Sequence, residues 1–110
     1  MKDNETQLVK ACLSWLTANG ILAWRQNTGA MTASYKGKRR FVRFGRPGMS
    51  DIAGVLPGGR AFYVECKMPG RVVTEGQWEF LCQVEEEGGL GVVVHTLEEL
   101  ASALRSYVAS

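Results

Sequence analysis

The stretch 48-GMSDIAGVLPGGRAFYVECKMPG-70 decides how this chain is read. Two short runs rich in β-branched and aromatic residues flank Leu56-Pro57-Gly58-Gly59, a turn signature. The segment therefore predicts a hairpin, with strands over 51–55 and 60–67. Each strand carries charge that a buried strand ordinarily lacks. Asp51 opens the first, and Glu65 and Lys67 close the second. Side chains alternate along a strand, so Glu65 and Lys67 share a face and Cys66 points away. The turn sets the partner of Asp51. A two-residue Gly58-Gly59 turn places it opposite Cys66, and a four-residue loop over 56–59 places it opposite Val64. In both cases Asp51 lies within one residue of Glu65, and directly opposed residues sit about 5 Å apart.

Two carboxylates at that separation do not both stay ionised cheaply. One loses its charge, or a cation sits between them. A donor set of oxygens alone favours a hard ion, Mg²⁺ or Mn²⁺. Lys67, one step along the same face, is placed to stabilise phosphate charge or to orient or deprotonate an attacking water. The plain structural alternative makes Asp51 a turn residue and Glu65–Lys67 a solvated pair. Phe62-Tyr63-Val64 argues against it, because such a run reads as an inner strand.

The wider composition narrows the class. At 110 residues the chain has room for one domain, 1–110, with a modest core. No apolar run approaches the roughly 20 residues that span a bilayer. The polar start MKDNETQ does not read as a secretory signal, so a cytoplasmic setting without membrane contact is expected. Cys12, Cys66 and Cys82 are odd in number and lack C-x-x-C spacing, and His95 is the single histidine. A zinc centre is not expected, and the thiols read as reduced and mostly buried. His95 ends the apolar run GVVVH with no evident partner in sequence, so it reads as structural.

The net charge of +2 says little, but its distribution says more. Thr6 to Ser50 contains no Asp or Glu, and it holds Lys10, Arg25, Lys36, Lys38, Arg39, Arg40, Arg43 and Arg46. The acids gather later, at Glu75, Glu79, Glu85, Glu86, Glu87, Glu98 and Glu99. One half favours a polyanion and the other repels it.

Along the chain, Asp3 or Asn4 caps a helix to about Asn19, with Leu8, Val9, Cys12, Leu13 and Leu16 as its apolar stripe. A strand covers 21–26. Residues 31–44 read as a hairpin tipped by Lys36-Gly37-Lys38, or as a mobile basic loop. After the 51–67 hairpin, Thr74 opens a helix to about Glu87. Leu90 to His95 reads as a fully apolar buried strand. Thr96 and Glu99 form a capping box for a last helix, 97–108. The order α-β-(ββ)-β-β-α-β-α predicts an α/β fold, a mixed sheet with helices packed on it.

Gly48-x-x-Asp51, a hairpin, Glu65-x-Lys67 and then a helix with Gln77 near its start resembles the PD-(D/E)XK, restriction-endonuclease-like nucleases. The closer resemblance is to the virus-type replication–repair nuclease (VRR-NUC) domain, over essentially the whole chain, as a stand-alone phage-type member. The resemblance implies that Asp51, Glu65 and the Cys66 carbonyl hold Mg²⁺ or Mn²⁺. Lys67 becomes the catalytic lysine, Glu5 completes the site through metal or water, and Gln77 matches the glutamine of the following helix. It further implies a homodimeric, structure-selective DNA endonuclease acting on branched or four-way (Holliday) junction DNA, with no small-molecule cofactor. One departure is that Ser50 stands where the family usually has proline.

Glu5 and Gln77 also have ordinary readings, as a first-turn acid favoured by the helix dipole and as half of a Thr74-x-x-Gln77 capping box. The basic run from Lys36 to Arg46 is interleaved with Phe41 and Phe44. It reads as a phosphate-contacting segment, joined by Arg25 and Asn27 from the preceding strand. Trp15, Trp24 and Trp78 read as core or dimer-interface residues. The alternative from another class is a non-catalytic nucleic-acid-binding module that uses the 36–46 segment, with its carboxylates as structural pairs.

Overall fold

The computed structural model describes residues 4–26, 29–44 and 48–108, with only the backbone described over 29–35 and 39–44. The Asp3 cap, Asn27 and Arg46 lie outside the described residues. So do the side chains of Arg39, Arg40 and Arg43.

The elements run α1 (Asn4–Ala18), β1 (Leu22–Arg25), β2 (Gly29–Tyr35), β3 (Lys38–Phe44), β4 (Ile52–Val55), β5 (Ala61–Cys66), α2 (Glu75–Glu86), β6 (Leu90–Val94) and α3 (Leu97–Ala103). A four-stranded sheet has the order β1-β4-β5-β6. Its first three strands are antiparallel, and β6 joins β5 in parallel after the α2 crossover. The expected mixed α/β sheet flanked by helices is thus observed. Strands β2 and β3 form a separate antiparallel hairpin, with Tyr35 paired to Lys38 across Lys36-Gly37. No helix among the described residues is long and apolar enough to cross a membrane.

Strand alternation sorts the sheet into two faces. One packs Ile52, Phe62, Val64, Cys66 and Val94 against Val9, Cys12 and Leu16 of α1 and against Leu100 and Leu104 beside them. The apolar stripe of α1 is the one its periodicity predicts. The opposite face meets α2, where Phe80 packs edge-on against Tyr63 with ring centroids 4.9 Å apart. Arg60 ties the hairpin to this frame, donating to the carbonyls of Gly88 and Gly89 (both 3.0 Å) and to the Tyr107 hydroxyl (3.2 Å).

Four expectations are corrected. The β4–β5 hairpin closes at Leu56 and Arg60 (Leu56 N to Arg60 O, 2.8 Å) around Pro57-Gly58-Gly59, a loop between the two lengths expected. Both glycines take positive φ, 99° and 101°, which suits a three-residue connection. Strand β6 is only half-buried apart from Val94, because it is an edge strand. The last helix stops at Ala103 and continues as a 3-10 turn over Arg105–Tyr107. Its capping box is half made. Thr96 Oγ1 accepts from Glu99 N, but the Glu99 carboxylate turns to the His95 backbone N–H (2.6 Å).

Candidate active site

The register Ile52↔Val64 and Val55↔Ala61, carried one step outward, sets Asp51 directly opposite Glu65. Neither expected partner, Cys66 or Val64, is correct, and the true register lies between them. Opposed residues share a face, so both carboxylates project from one side of the sheet. Asp51 is further held by its own Oδ2, which accepts from Cys66 N at 2.9 Å. On its other flank, Gln26 N donates to the Asp51 carbonyl (2.7 Å). The register through Trp24↔Ala53 and Arg25↔Ile52 then brings Gln26 level with Asp51. A row Gln26–Asp51–Glu65–Val93 crosses the sheet from edge to edge.

Glu65 stands in the middle of that row at 2% exposure. Its Oε2 accepts from Gln77 Nε2 (2.9 Å) and faces Lys67 Nζ at 3.8 Å. Its Oε1 is buried with no hydrogen-bond partner. Burial first and the charge of Asp51 second push the Glu65 carboxyl up to about 8. Lys67 pulls the other way and Glu5 adds to the rise, so the nearby ammonium does not compensate for the burial and the acids. Glu5, in the first turn of α1, therefore acts on Glu65 through charge.

Gln77 fulfils both of its expected roles at once. Its Oε1 accepts from Thr74 N (2.8 Å) and its backbone N–H donates to Thr74 Oγ1 (3.2 Å), completing the capping box. Its remaining amide group reaches Glu65. The helix cap and the site are thus one hydrogen-bonded unit. Gly48 secures the other side of it. Its φ is +83°, and a Cβ there would stand 2.8 Å from the Gly76 carbonyl oxygen, so only glycine lets the turn before Asp51 lie against the start of α2. Ser50 is buried, and its Oγ also lacks a partner.

Cys66 contributes differently from its neighbours. Its thiol points into the core, where the hydrogen bond with Cys12 and then burial push it far up. It stays a neutral thiol and has only its main chain to offer the site. Among the described residues, no group of three or more His, Cys, Asp and Glu side chains is gathered closely enough to hold a metal. A cation here would rest on Asp51 and Glu65 plus main-chain or water oxygens.

The remaining expected residues lie elsewhere. Arg25 is exposed, but it alternates to the face opposite Gln26 and Asp51. Lys36 and Lys38 are exposed at the tip of the β2–β3 hairpin. Arg39, Arg40 and Arg43 follow along β3. Trp15 packs against the core, whereas Trp24 and Trp78 are not core residues. His95 does have partners. Its Nδ1 meets the Glu99 carboxylate and its Nε2 the Arg71 carbonyl, each at 3.2 Å. Sequence reasoning missed Gln26, because only the register of β1 on β4 brings it to the row. Comparison with known protein families, curated proteins and solved structures finds no match for this chain.

Proposed function

We propose that this chain is a metal-dependent DNA endonuclease of the VRR-NUC, restriction-endonuclease-like type, selective for branched DNA and active as a homodimer. The observation that carries the reading is Glu65. A buried carboxyl with one unpartnered oxygen, directly opposite a second carboxylate, is costly in a fold that gains nothing from it. A cation between the two acids removes that cost. The residues present fit a hard divalent ion, Mg²⁺ or Mn²⁺, held by Asp51, Glu65 and the Cys66 carbonyl, with Glu5 lending charge. Such an ion keeps several waters and tolerates a small set of protein donors. When bound, it neutralises phosphate charge and lowers the pKa of a coordinated water.

The protein's own groups have distinct tasks in this reading. Gln77 occupies Oε2 of Glu65 and leaves Oε1 as the donor atom. Lys67 lies beside the same carboxylate, where its ammonium opposes negative charge building on a phosphate. The basic hairpin, from Lys36 and Lys38 through Arg39, Arg40 and Arg43, with Arg46 after it, supplies sequence-independent phosphate contacts. Hydrolysis proceeds without a covalent enzyme intermediate, because the described residues near the carboxylates offer no activated nucleophile.

One observation favours the second reading, a non-catalytic nucleic-acid-binding module. The bond from Cys66 N to Asp51 Oδ2 gives Asp51 a structural task of its own. The two readings part on one experiment. Purified protein is offered a four-way junction, a nicked flap and a plain duplex, each with Mg²⁺, Mn²⁺ or EDTA, beside Glu65→Gln. The nuclease reading expects metal-dependent cutting of branched DNA that the substitution removes. Binding without cutting under every metal condition, indifferent to Mg²⁺, would hand the assignment to the binding module.

A further inference from the structure

The face that carries Asp51 and Glu65 is only half covered. Helix α2 lies over its β5–β6 side, where Phe80 meets Tyr63 and Leu81 meets Gly91. On the β1 side stands Trp24, 45% exposed on an edge strand. Its register partner is Ala53, whose own partner is Tyr63. Trp24 therefore sits on the same face as the carboxylates, one level along the sheet. Diagonal neighbours at that offset are about 7–8 Å apart. The indole is turned toward the carboxylate row, since its Nε1 donates to Gln26 Oε1 at 3.2 Å, and Gln26 is the outer member of that row.

We propose that Trp24, with small Ala53 beside it and Gln26 bracing it, is a stacking platform for an unpaired nucleobase next to the cleavage site. A large aromatic on an open face, beside a site for phosphate, matches how single strands are bound. Bases stack on aromatic rings while the backbone tracks positive charge. On the sheet face itself the neighbouring charges are the two acids, and the positive charge comes from the adjoining sequence. Trp24 lies within the acid-free span Thr6 to Ser50, and the basic β2–β3 hairpin starts at Gly29, soon after it. A base stacked between neighbours inside a duplex cannot offer its face to the indole, so the platform would select DNA with unstacked, unpaired bases at a branch. The inference rests on the nuclease reading for its meaning, but not for its test.

The test is binding in EDTA with the Glu65→Gln protein, where no cutting is needed. Fluorescently labelled oligo-dT and a duplex of equal length are titrated and followed by anisotropy, with and without Trp24→Ala and Trp24→Phe. The protein's own tryptophan emission is followed in a Trp78→Phe background. Stacking is worth about 1–3 kcal/mol per base, so Trp24→Ala should weaken oligo-dT binding roughly 5- to 150-fold, with Trp24→Phe keeping most of the affinity. Duplex affinity should barely move, and emission should be quenched by oligo-dT only. Thermal melts of both variants should match the parent, because the side chain is exposed. Equal loss for duplex and oligo-dT, no loss for either, or no detectable binding by the parent would overturn the platform. A fall in oligomeric state with unchanged affinity would also overturn it, and would make this face a subunit contact. If quenching and selectivity hold while wild-type protein cuts nothing with Mg²⁺ or Mn²⁺, the platform stands and the nuclease reading falls.

Discussion

The two faces of the central sheet are built from the same strands and answer to different demands. On the α1–α3 face, Ile52, Phe62, Val64, Cys66 and Val94 are sealed and apolar. On the other, the residues between them in sequence are Asp51, Ala53, Tyr63, Glu65 and Val93, two of them acids in a half-covered setting. The period of two lets one strand stabilise the fold with one set of positions and present a candidate site with the other. Substitutions on the first face should therefore act through folding. Those on the second should act through cleavage, and some should even raise stability.

The sharpest break of that comparison is at the carboxylates. Asp51→Ala, Glu65→Gln and Lys67→Ala should each abolish cleavage while circular dichroism shows the fold intact. Glu65→Gln should also raise the melting temperature, because it keeps the shape of a buried acid and removes its ionisation. Wild-type-like cutting by purified Glu65→Gln would remove the active-site assignment. On the opposite face, Phe62→Ala deletes a fully buried ring and should cost about 3–5 kcal/mol, read as a lower urea midpoint. If Phe62→Ala keeps its stability, or if Glu65→Gln loses as much, the division of labour between faces is wrong.

How much of this was legible in the sequence follows the same physics. Most helices and strands were, since α1 shows a 3.6-residue stripe and Thr74 and Gln77 spell a capping box, although 31–44 read as either a hairpin or a loop and the last helix stops at Ala103. The pairing of Asp51 with Glu65 was legible only to within one residue. Register turned on whether Leu56 and Arg60 face each other, and a Pro-Gly-Gly tip permits loops of two, three or four residues. The exposure of Trp24 and the half-burial of β6 depend on strand order, which places β1 and β6 at the edges, and local pattern does not encode strand order. One partner of His95, the Arg71 carbonyl, was hidden for a similar reason, since it lies 24 residues away. Glu65 is the instructive case. Its charge stood out at once in a strand, but its burial and its unpartnered oxygen emerge only from β4, β6 and α2 closing around it.

The titration of Glu65 sharpens the comparison further. Burial and then Asp51 push this carboxyl up to about 8, whereas an unfolded chain ionises it near 4.3. Below about pH 4 both states hold the proton and nothing is lost. As pH rises from about 5 to about 8 the unfolded chain ionises first, so folding stability falls, and above 8 the whole cost is in place. Metal-free protein should therefore melt at lower temperature at pH 8.5 than at pH 5.5, with the slope flattened in Glu65→Gln. In the nuclease reading a divalent cation would take the proton's place, so stabilisation by Mg²⁺ should grow with pH across the same window. A Glu65→Gln melting profile parallel to wild type would show that this carboxyl is not the group responsible.

The finest distinction concerns Gln77, which belongs to both demands at once. Gln77→Ala removes the Thr74 N bond of the capping box together with the bond to Glu65, and should cost about 1 kcal/mol of stability along with cleavage. Gln77→Glu separates the two. A glutamate at this position still completes the capping box and suits the helix N-terminus, so stability near the helix cap is kept. Its charge, however, is set against Glu65 in place of a donor. Metal-free Gln77→Glu should hold Glu65 still more firmly protonated and cut far more slowly than wild type, while melting above Gln77→Ala. Equal cleavage by Gln77→Glu and wild type would mean that the amide's task ends at the cap. Glu65 would then owe its position to Lys67 and the strand register alone.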